Sequence, residues 1–305
     1  MEFLKVEKLK KSYEGHVALK EVSFSVPKGS IFGLLGPNGA GKTTFIRILN
    51  RIIAYDSGQI FFDGDPLAEK HVNRIGYLPE ERGLYRKMKV GDQILYFAQL
   101  KGLTYTEAYR RAKDLMRKFE MSSWWDKKLQ ELSKGMQQKV QFLITIIHDP
   151  DLLIFDEPFT GFDPINQEML KKEIIDLNKR GKTILFSTHQ MASVEELCDS
   201  IVLINEGEII LQGKLKEIKE QYKKNIFLLE FQSPDTEFVE TDEFKILEVK
   251  DGIYKIQISD RSSVKELINY ALSLGTIRMF KEQLPSLNEI FISAVQSSNL
   301  KTVEL

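Results

Sequence analysis

Gly36-Pro37-Asn38-Gly39-Ala40-Gly41-Lys42-Thr43-Thr44 is the stretch on which the reading of this chain turns. It fits the phosphate-cradling pattern G-x-x-x-x-G-K-[ST] and sits where that pattern's mechanism requires. The apolar run Ile31-Phe32-Gly33-Leu34-Leu35 precedes it as a buried strand, and Phe45-Ile46-Arg47-Ile48-Leu49 follows as a helix. Three glycines let the backbone wrap closely and aim its N–H groups at a phosphate chain, beside the positive end of a helix. Gly36, Asn38, Gly39, Gly41, Lys42, Thr43 and Thr44 are therefore the expected nucleotide-binding residues. Lys42 is placed to reach the β and γ phosphates, and the Thr43 hydroxyl to complete a magnesium shell.

A phosphate loop fixes a chemistry and not a function, so the residues around it must discriminate. Asp151-Leu152-Leu153-Ile154-Phe155-Asp156-Glu157 is a continuous apolar strand ending in two carboxylates. A parallel strand covered on both faces reads this way, and doubly wound sheets place ligands at the carboxyl ends of such strands. Asp156 is the expected magnesium holder, and Glu157 the group that takes a proton from an attacking water.

The bulk properties narrow the class. With 305 residues there is length for one large domain and a smaller one. The formal net charge of -1 and a pI near 6.5 give no global pull toward nucleic acid or anionic membrane. The single cysteine, Cys198, excludes an internal disulfide, suits a reducing compartment and sits at helical spacing for a packing role. No stretch approaches the roughly 18 to 20 apolar residues of a membrane helix. The N-terminus lacks the pattern of a signal peptide. A soluble protein is expected, acting on a membrane only through another chain.

Leu132-Ser133-Lys134-Gly135-Met136-Gln137-Gln138, followed by an apolar helix from Val140 to Ile147, resembles the L-S-G-G-Q signature of ATP-binding cassette (ABC) ATPases. Thr160-Gly161-Phe162-Asp163 resembles the family's D-loop. Ser187-Thr188-His189, ending the strand Thr183-Ile184-Leu185-Phe186, resembles its switch-histidine segment, and Tyr13 stands where the family stacks an aromatic on adenine. Together these motifs span residues 1 to about 220. The resemblance implies an α/β fold: a P-loop NTPase (RecA-like) core with an antiparallel β subdomain and a helical subdomain at about 88–150. ATP and Mg2+ are the implied cofactors. It also implies that Ser133 and Gly135 close on the γ-phosphate held by a second subunit, a homodimer partner or close homologue. His189 would then contact the γ-phosphate and hold Glu157 in line, making Lys42, Glu157 and His189 the catalytic set.

Three motifs depart from the family pattern. The signature carries Lys134 and Met136, the D-loop carries Phe162 where leucine is common, and the Q-loop glutamine is replaced by Glu80. A carboxylate still suits magnesium, a hard cation, so Thr43, Glu80 and Asp156 form the expected metal set. Glu80 adds a negative charge near the nucleotide. In related transporters this region receives a helix of the membrane subunit, which nominates Glu81, Arg82, Leu84, Tyr85 and Arg86 as coupling residues.

The remaining sequence organises around this core. Residues 1–30 and 58–64 alternate apolar and polar residues and are expected as antiparallel strands. From Val90 to about Lys128 the pattern is helical, with Ala108, Ala112, Leu115, Met116 and Phe119 as one stripe and five basic residues on other faces. That basic face reads better as a solvated surface than as a nucleic-acid site, and Trp124-Trp125 as core packing. After residue 222 the texture becomes that of a small α+β domain, 223–305, beyond the ATPase domain 1–222. Phe227 to Phe231, Phe244 to Val249 and Ile253 to Ile258 are expected strands, the last two joined through Asp251-Gly252. Val264, Leu267, Ile268, Ala271 and Leu272 mark one helix, and the capping box Ser286-Leu287-Asn288-Glu289 opens another. This domain resembles the accessory domain of cassette ATPases serving ABC-2-type exporters, and Leu78 to Tyr85 is similar to the sodium-extrusion (NatA-like) branch.

The expected function is thus the ATP-hydrolysing subunit of an ABC exporter, at the cytoplasmic face of the cell membrane beneath an ABC-2-type permease. The alternative is a soluble cassette ATPase acting on nucleic acid or ribosomes. It fits less well, because neither a long coiled-coil insertion nor a second cassette is present. A pseudo-ATPase is disfavoured by the intact Lys42, Asp156, Glu157 and His189. The cargo is open: sodium, drugs, peptides and lipid-linked compounds are all compatible.

Overall fold

A computed structural model of the chain describes residues 1–81, 83–234, 238–259 and 263–303. They form two compact units, Met1–Leu215 together with the chain from Ser298, and Lys216–Ser297, against a sequence expectation of a change at 222.

In the first unit the strands are β1 (Glu2–Tyr13), β2 (His16–Pro27), β3 (Ile31–Leu35), β4 (Ser57–Phe62), β5 (Asp65–Pro66), β6 (Ile75–Leu78), β7 (Leu152–Asp156), β8 (Thr183–Ser187), β9 (Ser200–Asn205) and β10 (Glu208–Lys214). The helices are α1 (Lys42–Leu49), α2 (Val90–Leu100), α3 (Tyr105–Lys118), α4 (Lys134–Ile146), α5 (Pro164–Lys179) and α6 (Met191–Leu197). The central sheet runs β10-β9-β3-β8-β7-β6, all parallel except β10. Every residue of β3, β7 and β8 is buried, which is why these strands are written as unbroken apolar runs. Parallel pairing also brings the carboxyl ends of β3, β6, β7 and β8 to one edge, so the loops that leave them meet there.

The second sheet, β2-β1-β4-β5, is antiparallel, as its alternation predicts, and the β1–β2 hairpin closes with Tyr13 opposite His16. Phe24 of β2 stacks on Phe32 of β3 at 5.9 Å and tilts against Phe45 of α1 at 5.1 Å, joining the two sheets and the helix into one core.

In the helical region Ala108, Ala112, Met116 and Phe119 are buried as the stripe requires. The basic residues opposite them are already engaged. Arg111 pairs with Glu107 at 2.6 Å, Lys118 with the buried Glu173 at 2.5 Å, and the Lys113 ammonium lies 3.7 Å from the Trp125 ring centre. Trp125 covers Gly91 so closely that a Cβ there would stand 2.4 Å from its ring.

After α7 (Leu215–Gln221), the second unit contains β11 (Ile226–Pro234), β12 (Phe244–Lys250), β13 (Ile253–Ile258), α8 (Val264–Leu274), β14 (Gly275–Gln283) and α9 (Leu287–Val303) as far as Ser297. The antiparallel order is β12-β13-β11-β14 around Phe227, Leu229, Phe244, Ile256 and Leu267. Asp251 and Gly252 both take positive φ, +50° and +80°, as the hairpin signal demands. The Ser286–Glu289 capping box forms, with Glu289 N–H donating to Ser286 Oγ at 3.2 Å and Ser286 N–H to the Glu289 carboxylate at 2.7 Å. The sequence reading had no strand at β14. Its pattern, half-buried residues interleaved with Arg278 and Lys281, is that of an edge strand and carries little apolar signal.

Candidate functional site

The loops leaving the sheet edge enclose a cavity of about 440 Å³ lined by Tyr13, Asn38, Gly39, Gly41, Lys42, Thr43, Thr44, Glu80, Asp156, Glu157 and His189, with His16, Ala18 and Ala40 completing the wall. Sequence positions up to 176 residues apart are thereby brought together, counting from Tyr13 to His189.

The phosphate loop owes its shape to backbone crowding. Gly36 has φ +148°, and a Cβ there would sit 2.1 Å from the Ile204 carbonyl oxygen. Gly41 has φ +112°, with the Ala18 carbonyl oxygen 2.4 Å from the same hypothetical atom. α1 starts directly after Gly41 without a side-chain cap, which leaves its first N–H groups open to a ligand. Lys42 is buried, and its ammonium donates to the carbonyl oxygens of Gly36 at 2.7 Å and Pro37 at 3.0 Å. Burial lowers its pKa, opposed by the facing carboxylates of Glu157, Asp156 and Glu80.

Across the cavity, Glu157 adopts a left-handed backbone at φ +49°, held by its N–H to the Ser187 carbonyl oxygen at 2.8 Å. Its Oε2 accepts from Thr188 Oγ1 at 2.9 Å. Its Oε1 accepts from the His189 backbone N–H at 2.9 Å and from His189 Nδ1 at 2.6 Å. A carboxylate only accepts, so Nδ1 carries the proton of that bond. Thr188 was not singled out from sequence; a hydroxyl between the strand end and the histidine was the available signal. Asp156 is 5 % exposed, and its pKa is raised first by burial and then by the Glu157 and Glu80 charges, against the pull of Ser187 and Lys42.

These donors fit a magnesium ion arriving with a triphosphate. Thr43, Glu80 and Asp156 offer oxygen only, and three carboxylates face one lysine. Among the described residues no group of three or more His, Cys, Asp or Glu side chains forms a ready-made metal site, so the remaining ligands would come from phosphate and water.

Ser133 and Gly135 are not part of this cavity. Ser133 is the exposed N-cap of α4, its Oγ accepting from Met136 N–H at 3.3 Å, and a Cβ on Gly135 would meet open space. Gln138 of the same helix donates to the Thr160 carbonyl oxygen, tying the signature helix to the D-loop. Phe162 is buried, and Asp163 caps α5 through Asn166 N–H at 3.0 Å.

Beside the cavity lies an apolar groove of about 380 Å³ between the end of α1, β6, α2 and α4, walled by Tyr77, Pro79, Leu84, Phe97, Leu100 and Gln141 among others. Of the expected coupling residues, Leu84 lines it. Tyr85 stands at its rim, half-exposed, stacked on Phe97 at 6.1 Å and held by its N–H to the buried Gln93 Oε1 at 2.6 Å. Glu81 and Arg86 are exposed, and Arg82 lies outside the described residues.

The ABC transporter family model matches residues 19–160, and the model of the C-terminal domain of DrrA1-3-like ATP-binding proteins matches residues 213–295. The chain is 41% identical over 295 residues to an uncharacterized ABC transporter ATP-binding protein of Bacillus subtilis, YhaQ, covering 96% of this chain and 98% of that one. It is 39% identical over 207 residues to the ABC transporter ATP-binding protein NatA of the same organism, covering 67% and 84% respectively. Among solved structures, an ATP-binding subunit of an ABC transporter superposes with a TM-score of 0.67 at 33% identity, over 72% of this chain and 93% of that chain.

Proposed function

Because the chain belongs to the ATP-binding subunits of ABC transporters, we propose that the cavity at the sheet edge holds ATP and magnesium and that a second subunit completes it. The family hydrolyses ATP, and this chain is the ATPase subunit of an ABC exporter. In the proposed assignment Tyr13 stacks on the base, the 36–44 loop wraps the phosphates, and Thr43, Asp156 and Glu80 would hold the magnesium. That ion supplies charge neutralisation at the β and γ oxygens when bound. Glu157 takes the proton of the attacking water, and His189 orients it and meets the γ-phosphate.

Glu157 accepts three hydrogen bonds from its own chain, which fix the base at the cavity wall. One observation carries the dimeric reading. Ser133 and Gly135, the capped but exposed start of α4, are absent from the cavity of their own chain. A helix N-terminus facing outward suits the γ-phosphate of a partner's nucleotide. ATP then stabilises the closed pair and hydrolysis reopens it, the differential affinity driving the motion.

The partner in the membrane is an ABC-2-type permease, which places the subunit at the cytoplasmic face. No described helix is long and apolar enough to cross a membrane itself. The groove rimmed by Leu84 and Tyr85 is its docking point. The soluble, nucleic-acid alternative draws no support from the basic face of α3, whose cations are paired or stacked.

The test is the Glu157→Gln variant purified with magnesium and ATP. A dimer by light scattering that appears only with ATP supports the reading. A monomer at every ATP concentration, with wild-type chain also failing to bind ATP, overturns it.

A further inference from the structure

The hairpin that presents Tyr13 outruns the strand beside it. β1 pairs with β4 only as far as Lys10, opposite Ser57, the first residue of β4. Beyond that point β1 has β2 alone for a partner, and their pairing shifts register between Lys11 and Ser12. The turn that carries Tyr13 to the cavity wall is therefore not held by a complete ladder.

Asp56, the residue just before β4, takes over there. Its N–H donates to the Lys10 carbonyl oxygen at 2.9 Å. Its Oδ2 accepts from the Ser12 N–H at 2.6 Å, and its Oδ1 from the Lys11 ammonium at 3.0 Å. Lys10, Lys11 and Ser12, the residues leading into Tyr13, are thus all tied to one aspartate. The Lys11 ammonium, so held, lies 5.5 Å from the centre of the Tyr13 ring, within cation–π range. Lys11, and then the Ser12 N–H, keep the Asp56 carboxyl below the usual carboxylate range, as an anion accepting charge-assisted bonds. Asp56 also ends the connection from α1, the helix that follows the phosphate loop, in which Ile53 packs against the main core. One short segment therefore links the phosphate cradle to the turn bearing Tyr13, although Asp56 does not itself line the cavity.

An exposed ion pair contributes little to stability, so what these bonds supply is geometry. We propose that Asp56 is a positioning residue for recognition of the nucleotide's base: by fixing Lys10, Lys11 and Ser12 it sets the Tyr13 ring at the cavity wall. The base is then bound through a clamp that it never touches. The phosphates are held elsewhere, by the 36–44 loop, so the clamp acts on affinity and not on the chemical step. The inference rests on the assignment of Tyr13 to base stacking made above.

The experiment measures, in the full chain, calorimetric affinity for the β,γ-imido analogue of ATP and kcat at saturating ATP. Asp56→Ala is expected to weaken analogue binding by about tenfold, within the range that loss of an aromatic–base stack produces. Its kcat is expected to stay within about twofold of wild type, because a uniform binding interaction has been lost. Asp56→Asn keeps an oxygen for the Ser12 N–H but not the charge for Lys11, and should lose only about threefold. Tyr13→Ala should lose at least as much affinity as Asp56→Ala. Adding Asp56→Ala to Tyr13→Ala should then change affinity by less than about twofold, since the second substitution has no ring left to misplace.

Unaltered analogue affinity in Asp56→Ala overturns the positioning role. So does a fall in kcat as large as the fall in affinity, which marks a general loosening of the site. An undiminished loss from Asp56→Ala when Tyr13 is already alanine overturns the route through the ring. If Tyr13→Ala binds the analogue as wild type does, the stacking assignment fails and takes this inference with it. A weakened Tyr13→Ala beside an unaffected Asp56→Ala refutes the clamp alone, which separates the two claims.

Discussion

The Lys42 ammonium donates at 2.7 Å to the carbonyl oxygen of Gly36, six residues before it in its own loop. The same group reaches Pro37 at 3.0 Å, so the cation spans the cradle that its triphosphate ligand is to fill. Those two bonds fix the side chain within its loop, a form of preorganisation that lowers the ordering cost of binding.

Lys42→Ala is expected to reduce hydrolysis by at least about a hundredfold, the scale of a lost electrostatic contact to developing charge. The Gly36 carbonyl it leaves is buried and loses its donor, so the unfolding midpoint should also fall, by the equivalent of about 1–3 kcal/mol. Phosphate release and thermal melting, measured on one preparation, check both halves. Retained full turnover removes Lys42 from the site.

Gly36 and Gly39 should respond differently to alanine. At Gly36 the new Cβ collides with backbone at 2.1 Å, and the Ile204 carbonyl cannot move without disturbing β9. Gly36→Ala is expected to destabilise the first unit by several kcal/mol, as overpacking with backbone shift does. At Gly39 the space is open and only the φ of +81° is unfavourable, a penalty of about 1–2 kcal/mol. Urea denaturation of the two variants gives the comparison.

Tyr85→Ala should uncouple transport from hydrolysis. Its half-exposed ring stacks on Phe97 at the groove rim, away from the phosphates. Transport by the assembled complex is expected to fall by about tenfold or more, on the scale of a lost aromatic anchor, while hydrolysis by the isolated subunit continues. Unchanged transport counts against the docking assignment.

His148 makes stability depend on acid. Burial, with Lys101 nearby, lowers its pKa from 6.5 to about 4, and its Nε2 meets the Ile75 carbonyl oxygen at 3.2 Å. The unfolded chain takes up the proton before the folded one. The contribution of this group is therefore complete above about pH 6.5 and is lost progressively as the pH falls toward 4. His148→Gln should flatten the decline of the urea midpoint between pH 7 and 4.5. Parallel declines in the two proteins would show that His148 plays no part in it.

The central fold was legible because its signals are dense. β3, β7 and β8 announce themselves as buried runs, and the candidate site residues lie at or within two residues of each strand's end, at Gly36, Asp156 and His189. Parallel pairing then makes sequence neighbours of strand ends into spatial neighbours of one cavity. The three-way hold on Glu157 was only half visible, since His189 was nominated and Thr188 was not. β14 escaped because an edge strand alternating with Arg278 and Lys281 has too little apolar content to be told from a loop. The Gly91–Trp125 contact depends on packing between distant elements, which no local pattern encodes.

Cys198 is buried and is the only cysteine in the chain. Burial drives its thiol far above the ordinary range, so almost no thiolate exists near neutral pH. The native polypeptide consequently behaves toward maleimides as a blank background. A single thiol introduced at an exposed position such as Ser133 would be the sole target for a dye or spin label, allowing distances between two copies to be followed without first rebuilding the protein.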